Sequence, residues 1–292
     1  MSPTAARGPR RPPVERIRDE LRDAAGPQLA AELPTGFQLL GHVLIVRWPE
    51  TLRPHFPLLV EAFRRAFGVR VILRQVGPIA GELRTPVLER LLDGPTETEV
   101  REGGVRWRFD AARIMFSAGN HTERVRAGRL VQPGETVVDL FAGIGYFALP
   151  AAKIGRAARV VAVDRNPLSV QYLEENARRN GVAERVEVRC GDNRSVEIPP
   201  GTSDRVFLGY LPSAVPWVDR AVPLLRPSGG WMHVHLVADA RHAVADGARA
   251  VTAAVEDSGG RLTEPAWGRE VKAFGPGRTH VVVDVHVVPG RT

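Results

Sequence analysis

Val137-Val138-Asp139-Leu140-Phe141-Ala142-Gly143-Ile144-Gly145-Tyr146-Phe147 sets an apolar, β-branched run directly before a glycine-rich turn and the start of a helix. In open α/β sheets, ligands bind outside the carboxyl ends of the strands, and glycine lets the backbone come close to them. The dinucleotide fingerprint asks for a third glycine three residues after the second, where this chain has Ala148. A diphosphate is therefore disfavoured at this turn.

Working outward, Val161-Ala162-Val163-Asp164-Arg165-Asn166-Pro167 ends the next apolar run on a carboxylate, nineteen residues after Gly145. A carboxylate there accepts hydrogen bonds from both ribose hydroxyls. Gly191-Asp192-Asn193-Arg194 ends the third run and offers a carboxylate and an amide side by side, suited to an adenine ring. Three consecutive strand ends thus carry, in order, groups for an adenosine without a diphosphate. S-adenosylmethionine is that kind of ligand.

Strand-type runs fall at 136–140, 159–164, 186–190, 204–208, 230–236, 261–267 and 280–288. Helix-type patterns lie between most of them, at 146–154, 168–180, 214–225 and 240–257. Such alternation predicts a doubly wound, mostly parallel, Rossmann-like α/β sheet covered on both faces. No long helix separates the last two runs, so the final strand is expected to enter antiparallel.

Upstream the pattern changes. Residues 1–12 are rich in Arg and Pro and read as a disordered leader. Residues 13–112 read as a small α+β accessory or substrate domain, with helices at 14–25 and 54–67 and strands at 42–47 and 69–73. A hairpin at 96–102 and 105–109 turns on Gly103-Gly104. Residues 113–292 are then the S-adenosylmethionine-binding catalytic domain.

Among 292 residues, 43% hydrophobic and 25% charged is the balance of a globular protein, which excludes disorder, collagen and coiled coil. The net charge of +7 is spread evenly, without the clustered basic patch of a nucleic-acid binder. Lys occurs only at Lys153 and Lys272, so 38 of the 40 basic residues are Arg. That skew points to a GC-rich coding genome. A single Cys190 excludes an internal disulfide framework, and no Cys/His cluster has zinc spacing, so no metal is expected. No signal peptide or run of about 20 apolar residues is present, which predicts a cytoplasmic protein without membrane contact.

The motifs MFSAGNHTERVR (115–126), DLFAGIGYFALP (139–150), GDNR (191–194), LGYLPS (208–213), WMHVHLV (231–237) and VKAFGPGRTHVVVDV (271–285) together resemble the wybutosine-synthesis aminocarboxypropyltransferases. These are a sister group of the tRNA guanine-37 N1-methyltransferases. The resemblance spans about residues 100–290 and is looser over 1–95. It implies an S-adenosylmethionine-dependent methyltransferase-like fold. It also implies a transferase that moves the 3-amino-3-carboxypropyl group and releases 5′-methylthioadenosine.

On that resemblance Ser117, Arg124, Asp164, Asp192 and Asn193 contact S-adenosylmethionine. Arg124 stands where the family usually has Lys, and Asp164 where Glu is frequent. The turn backbone at Asp139, Phe141, Ala142, Gly143 and Gly145, and Arg165 and Asn166 beside Asp164, complete the expected cofactor set. The guanine-37 methyltransferases carry Asn-Leu-Pro after the fourth strand, where this chain reads Gly209-Tyr210-Leu211-Pro212-Ser213. From the residues alone methyl transfer stays open, because the sulfonium activates the methyl, Cγ and C5′ carbons alike. Positioning then selects among them.

No catalytic residue is identified, and five candidates flank the acceptor side. Tyr210 and Ser213 lie at the fourth strand's end. Glu123 is a possible general base or a structural ion-pair partner. His233 and His235 share one face of a strand, as polar packing or as structural histidines. Trp217 and Trp231 read as core, and Cys190 as a small buried hydrophobe. The even charge, the GC-rich spelling and the lack of an evident RNA-gripping module favour a small phenolic acceptor over tRNA. That would make the chain a relative, in an antibiotic pathway of a high-GC bacterium, of the enzyme that makes isonocardicin. The alternatives are the same transfer to a modified tRNA guanosine, methyl transfer, or a catalytically silent binding module.

Overall fold

The computed structural model describes residues 12–79 and 81–290. The expected disordered leader therefore lies almost wholly outside the described residues. The chain divides into two compact units, one running up to Val100 with Phe109–Phe116, the other comprising Arg101–Arg108 and Ser117 onward. The division falls at several points of the chain rather than near residue 112 alone.

In the first unit, α1 (Pro13–Ala25) and α2 (Pro27–Ala31) precede β1 (Phe37–Leu40) and β2 (Val43–Val46). A 3-10 turn then leads into α3 (Phe56–Phe67), which ends at Gly68 with a left-handed φ of 66°. β3 (Val71–Gln75) and β4 (Leu88–Leu92) close a sheet ordered β1-β2-β3-β4, in which only β2 and β3 are parallel. Ile17 and Leu21 of α1, Leu59 and Phe63 of α3, and Leu44, Val46 and Ile72 of the sheet form the core. β1, β4 and α2 are not legible in the sequence, being only four or five residues long.

β5 (Glu97–Glu102) and β6 (Val105–Asp110) form the expected hairpin around Gly103 and Gly104, both at positive φ. Its far end belongs to the second unit for a concrete reason. Asn176 Nδ2 and Oδ1 bond the carbonyl and N–H of Arg108, Asn180 does the same for Arg106, and Trp107 Nε1 donates to the Gly145 carbonyl.

The second unit contains α4 (His121–Leu130), β7 (Thr136–Asp139), α5 (Ala148–Lys153), β8 (Arg159–Asp164), α6 (Pro167–Arg179), β9 (Val186–Cys190) and β10 (Arg205–Leu208). It continues with α7 (Val218–Ala221), β11 (Gly230–Asp239), α8 (Ala243–Asp257), β12 (Arg261–Leu262), β13 (Trp267–Gly275) and β14 (Arg278–Val288). The sheet order is β12-β14-β11-β10-β7-β8-β9, with β13 also paired to β14. β7 to β11 are parallel, and β14 runs antiparallel to β11, as expected. Strand order reverses between β7 and β10, which opens the ligand crevice of doubly wound sheets above those ends.

Three expectations are corrected. The single strand at 261–267 is instead the two-residue β12 plus a separate β13 over 267–275. β13 is an exposed edge strand with Gly268, Arg269, Glu270 and Lys272, so it lacks the apolar run that marks a buried strand. The helix over 214–225 is broken into 3-10 turns around the four-residue α7, because Pro216 and Pro223 supply no N–H. Cys190 is exposed rather than buried, being the last residue of β9. No helix among the described residues is long and apolar enough to cross a membrane.

Candidate active site

Asp139 is wholly buried at the end of β7. Its Oδ1 accepts from the Phe141 N–H at 3.2 Å and its Oδ2 from the Ala148 N–H at 3.1 Å, which folds the turn back on the strand. Burial pushes its carboxyl up to about 7 against the pull of those N–H donors. Asp139 thus shapes the turn from beneath. Gly143 and Gly145 take φ of 55° and 97°, and a Cβ on Gly145 would fall 2.5 Å from Leu149 Cγ. Only glycine fits there.

Asp164 ends β8 beside this turn. Its Oδ2 accepts from the Gly143 N–H at 2.8 Å and its Oδ1 from the Asn166 N–H at 2.9 Å, so both oxygens are fixed. Each keeps a further lone pair, the geometry a ribose diol requires. Burial raises the Asp164 carboxyl, and the two N–H donors and the Arg165 charge oppose the rise. Asn166 caps α6 through the Leu168 N–H rather than reaching outward, and Arg165 stands 4.0 Å from Asp192. Asp192 is half-exposed above β9 and accepts from the Arg194 N–H. Asn193 departs from the expected adenine contact in part: its Nδ2 donates to the Leu140 carbonyl at 2.8 Å, which ties the third turn to the first.

Phe141, Tyr210 and Trp217 form an aromatic cluster, with ring centroids 5.1–5.2 Å apart, where the loops after β7 and β10 meet. Trp217 ends a 3-10 turn and is half-buried at the margin of the core rather than deep within it. Ser213 Oγ accepts from the Val215 N–H, which makes it a turn cap. The cradle fits an adenosine: positive-φ glycines, no third glycine, a fixed carboxylate beside them, and apolar rings near.

The loop before α4 is held from two sides. Arg124 is buried over the Trp107 ring, ion-paired to Glu102, and its Nη1 donates to the Ser117 carbonyl at 2.9 Å. It positions Ser117 rather than presenting a charge. From β13, Lys272 Nζ donates to Ser117 Oγ at 2.5 Å. Sequence reasoning missed Lys272, although its being one of two lysines was a usable signal.

Glu123 and His233 belong to a buried ionic chain. Glu135 pairs with Arg205, whose Nη1 donates to His233 Nε2 at 2.6 Å, and His233 Nδ1 donates to Asp284 at 2.6 Å. Arg126 then bridges Asp284 to Glu123, which Arg269 also holds. These two candidates serve the fold: both are engaged by charged partners and are about 98–99% buried. His235 Nδ1 lies 2.8 Å from His280 Nε2, and the pair's outer nitrogens, His235 Nε2 and His280 Nδ1, are buried without a partner. No group of three His, Cys, Asp or Glu residues among the described residues could hold a metal.

Burial drives the His235 imidazole well below its ordinary range, and burial with the Lys272 charge drives His280 from 6.5 to about 4. The unfolded chain thus binds protons here that the folded chain refuses. Stability is complete above about 6.5 and is lost as pH falls toward 4, by about 3 kcal/mol for His280. Melting temperature is expected to fall across pH 7 to 4, and less steeply in His280→Gln; identical slopes would refute this.

The TRM5/TYW2 methyltransferase domain family matches residues 98–261, and the TYW2 N-terminal domain family matches residues 17–96. A Pyrococcus horikoshii protein named tRNA(Phe) (4-demethylwyosine(37)-C(7)) aminocarboxypropyltransferase is 32% identical over 93% of this chain and 96% of its own length. The crystal structure of Pyrococcus horikoshii TYW2 with methylthioadenosine superposes with a TM-score of 0.80 and 28% identity, covering 94% of this chain and 99% of that one. The structure of Methanocaldococcus jannaschii TYW2 with S-adenosylmethionine gives 0.70 and 28%, covering 87% and 100%. Rat and human wybutosine-synthesizing relatives are longer, and the chain spans about half of each.

These findings correct the preference for a small-molecule acceptor over tRNA. The upstream region expected to lack an RNA-related module matches a tRNA-modifying family's own N-terminal domain, and these relatives are named for tRNA. The preponderance of Arg over Lys is compatible with a phosphate-rich acceptor, since guanidinium groups pair with phosphate as well as ammonium groups do. None of these names points to an antibiotic pathway.

Proposed function

We propose, from the premise that this chain belongs to the TRM5/TYW2 family of S-adenosylmethionine-dependent transferases, that it transfers the 3-amino-3-carboxypropyl group to C7 of a demethylwyosine-type base at position 37 of tRNA. The observation that carries this reading is the match of residues 17–96 to a TYW2 N-terminal domain, joined to near full-length coverage of an archaeal relative named for that reaction. The N-terminal unit is assigned to the tRNA and the second unit to the cofactor. The lone cysteine and absence of a membrane-length helix among the described residues fit a cytoplasmic place of work.

In the reaction, C7 attacks Cγ of S-adenosylmethionine, the S–Cγ pair returns to sulfur to give neutral methylthioadenosine, and the C7 proton is lost. This chain contributes positioning. Asp164 anchors the ribose, the Gly143–Gly145 backbone admits the adenosyl group, and Asp192 with the Phe141–Tyr210–Trp217 rings borders the base. A polar side chain that the guanine-37 methyltransferases place after the fourth strand is replaced by Gly209-Tyr210, consistent with a different carbon in line. Alignment of the reacting atoms is worth up to roughly 7–11 kcal/mol, enough to choose among the three activated carbons.

The test is incubation with S-adenosylmethionine and tRNA(Phe) bearing 4-demethylwyosine at position 37. Methylthioadenosine and an aminocarboxypropyl adduct are expected, and S-adenosylhomocysteine as the sole nucleoside product would refute the reading. Affinity for tRNA should fall steeply with added salt, as counterion release requires.

A further inference from the structure

We propose that Lys272 is the cation that holds the α-carboxylate of the methionine arm of S-adenosylmethionine, with Ser117 Oγ as its fixed neighbour. This rests on the preceding reading only for the identity of the ligand. In a chain that spells 38 of its 40 basic residues Arg, the two lysines both sit where an ammonium meets a side-chain oxygen. Lys153 Nζ donates to Asn180 Oδ1 at 2.9 Å and Lys272 Nζ to Ser117 Oγ at 2.5 Å. A compact ammonium is distinct from a planar guanidinium, and these positions keep the ammonium.

The surroundings agree. A Cβ on Gly119 would lie 3.1 Å from Lys272 Cδ and 3.4 Å from its Nζ, so the loop is bare where the lysine stem passes. Topology sets Lys272 at the ligand edge. β14 is antiparallel to β11 and β13 antiparallel to β14, so the later residues of β13 lie toward the end where β7, β8 and β10 stop. Lys272 is in register with His280, whose imidazole feels its charge.

Charge also favours this assignment. The methionine arm brings a carboxylate, and Arg124, the other cation at the Ser117 loop, is buried and paired with Glu102. Lys272 is half-buried, where a charge-assisted hydrogen bond to a ligand carboxylate forms in partial shelter from water. Holding the carboxylate at one end and the adenosyl group at the other fixes Cγ between them. Because the transferred group carries that carboxylate, the same contact persists through the transfer.

Calorimetric binding of S-adenosylmethionine, S-adenosylhomocysteine and methylthioadenosine to the full chain tests this, since the last lacks the methionine arm. Lys272→Met and Lys272→Gln are expected to weaken the first two by about tenfold to a hundredfold, the range of a charge-assisted hydrogen bond, and to leave methylthioadenosine within about twofold. Lys272→Arg, which puts a planar fork where a compact ammonium stands, is expected to recover only part. Unchanged affinity for the two longer ligands, or parallel loss of all three in both variants, would overturn the proposal. The binding difference stands apart from turnover: production of S-adenosylhomocysteine from tRNA would refute the transfer reading and leave this one intact.

Discussion

Asp164→Ala is expected to weaken S-adenosylmethionine binding by about 100-fold or more, because one carboxylate serves both the ribose and the turn that receives it. Hydrogen bonds to a charged acceptor contribute about 1.5–3 kcal/mol each, and two ribose hydroxyls are lost together. The turn suffers as well. Asp164 fixes the Gly143 N–H at 2.8 Å and the Asn166 N–H at 2.9 Å, and Asn166 in turn caps α6. Methylthioadenosine shares the ribose, so its affinity should fall in parallel, the opposite of the pattern expected for Lys272. Since burial raises the Asp164 carboxyl, ligand affinity should also decline as the medium is acidified. Calorimetry decides the matter: an Asp164→Ala protein that binds S-adenosylmethionine within about threefold of the parent would remove Asp164 from the site.

Asp284→Ala should lower stability by about 3–5 kcal/mol, the cost of removing one partner from a buried ionic cluster. Asp284 receives two bonds from Arg126, at 2.8 and 3.1 Å, and one from His233 at 2.6 Å. Its loss leaves the Arg126 guanidinium next to Glu123 with half its compensation, and leaves His233 Nδ1 buried without an acceptor. These bonds hold the Asp284 carboxyl far below the usual carboxylate range despite its burial. The sign follows: the folded state prefers the ionised form, so the stabilisation is complete above about pH 4 and is lost as pH falls further. Denaturant titration near neutral pH reads the effect directly, and a loss under about 1 kcal/mol would show that the cluster is not energetically coupled. Replacing the whole cluster by apolar side chains could be neutral, which separates the penalty of an orphaned charge from the worth of the pairs.

Much of the second unit is legible in the amino-acid order alone. The run 137–147, the carboxylates at Asp164 and Asp192, and the alternation of strands and helices specify a doubly wound sheet with an adenosine-type ligand at its edge. They do so because strand ends, glycine turns and polar residues are local features with a fixed period. Exposed edge elements are not legible: β13, WGREVKAFG, mixes charged, small and apolar residues with no period-2 pattern, because neither of its faces is buried.

The fate of individual side chains also depends on the tertiary structure. Glu123, His233 and Arg124 look like catalytic or ligand residues in a one-dimensional text, because a charged or titratable residue in a motif is ambiguous until its neighbours are known. Folding supplies Arg126 and Arg269 to Glu123, Asp284 and Arg205 to His233, and Glu102 to Arg124. Lys272 is the converse case. Its rarity is visible in the composition, yet only the pairing of β13 with β14 brings it 155 residues back along the chain to Ser117. What the chain determined by itself was the sheet, the cradle and the ligand class, which depend on local period and backbone freedom. What the tertiary structure decided was which charges face a ligand and which face each other, because pairing is settled by distance in space, and sequence separation does not record it.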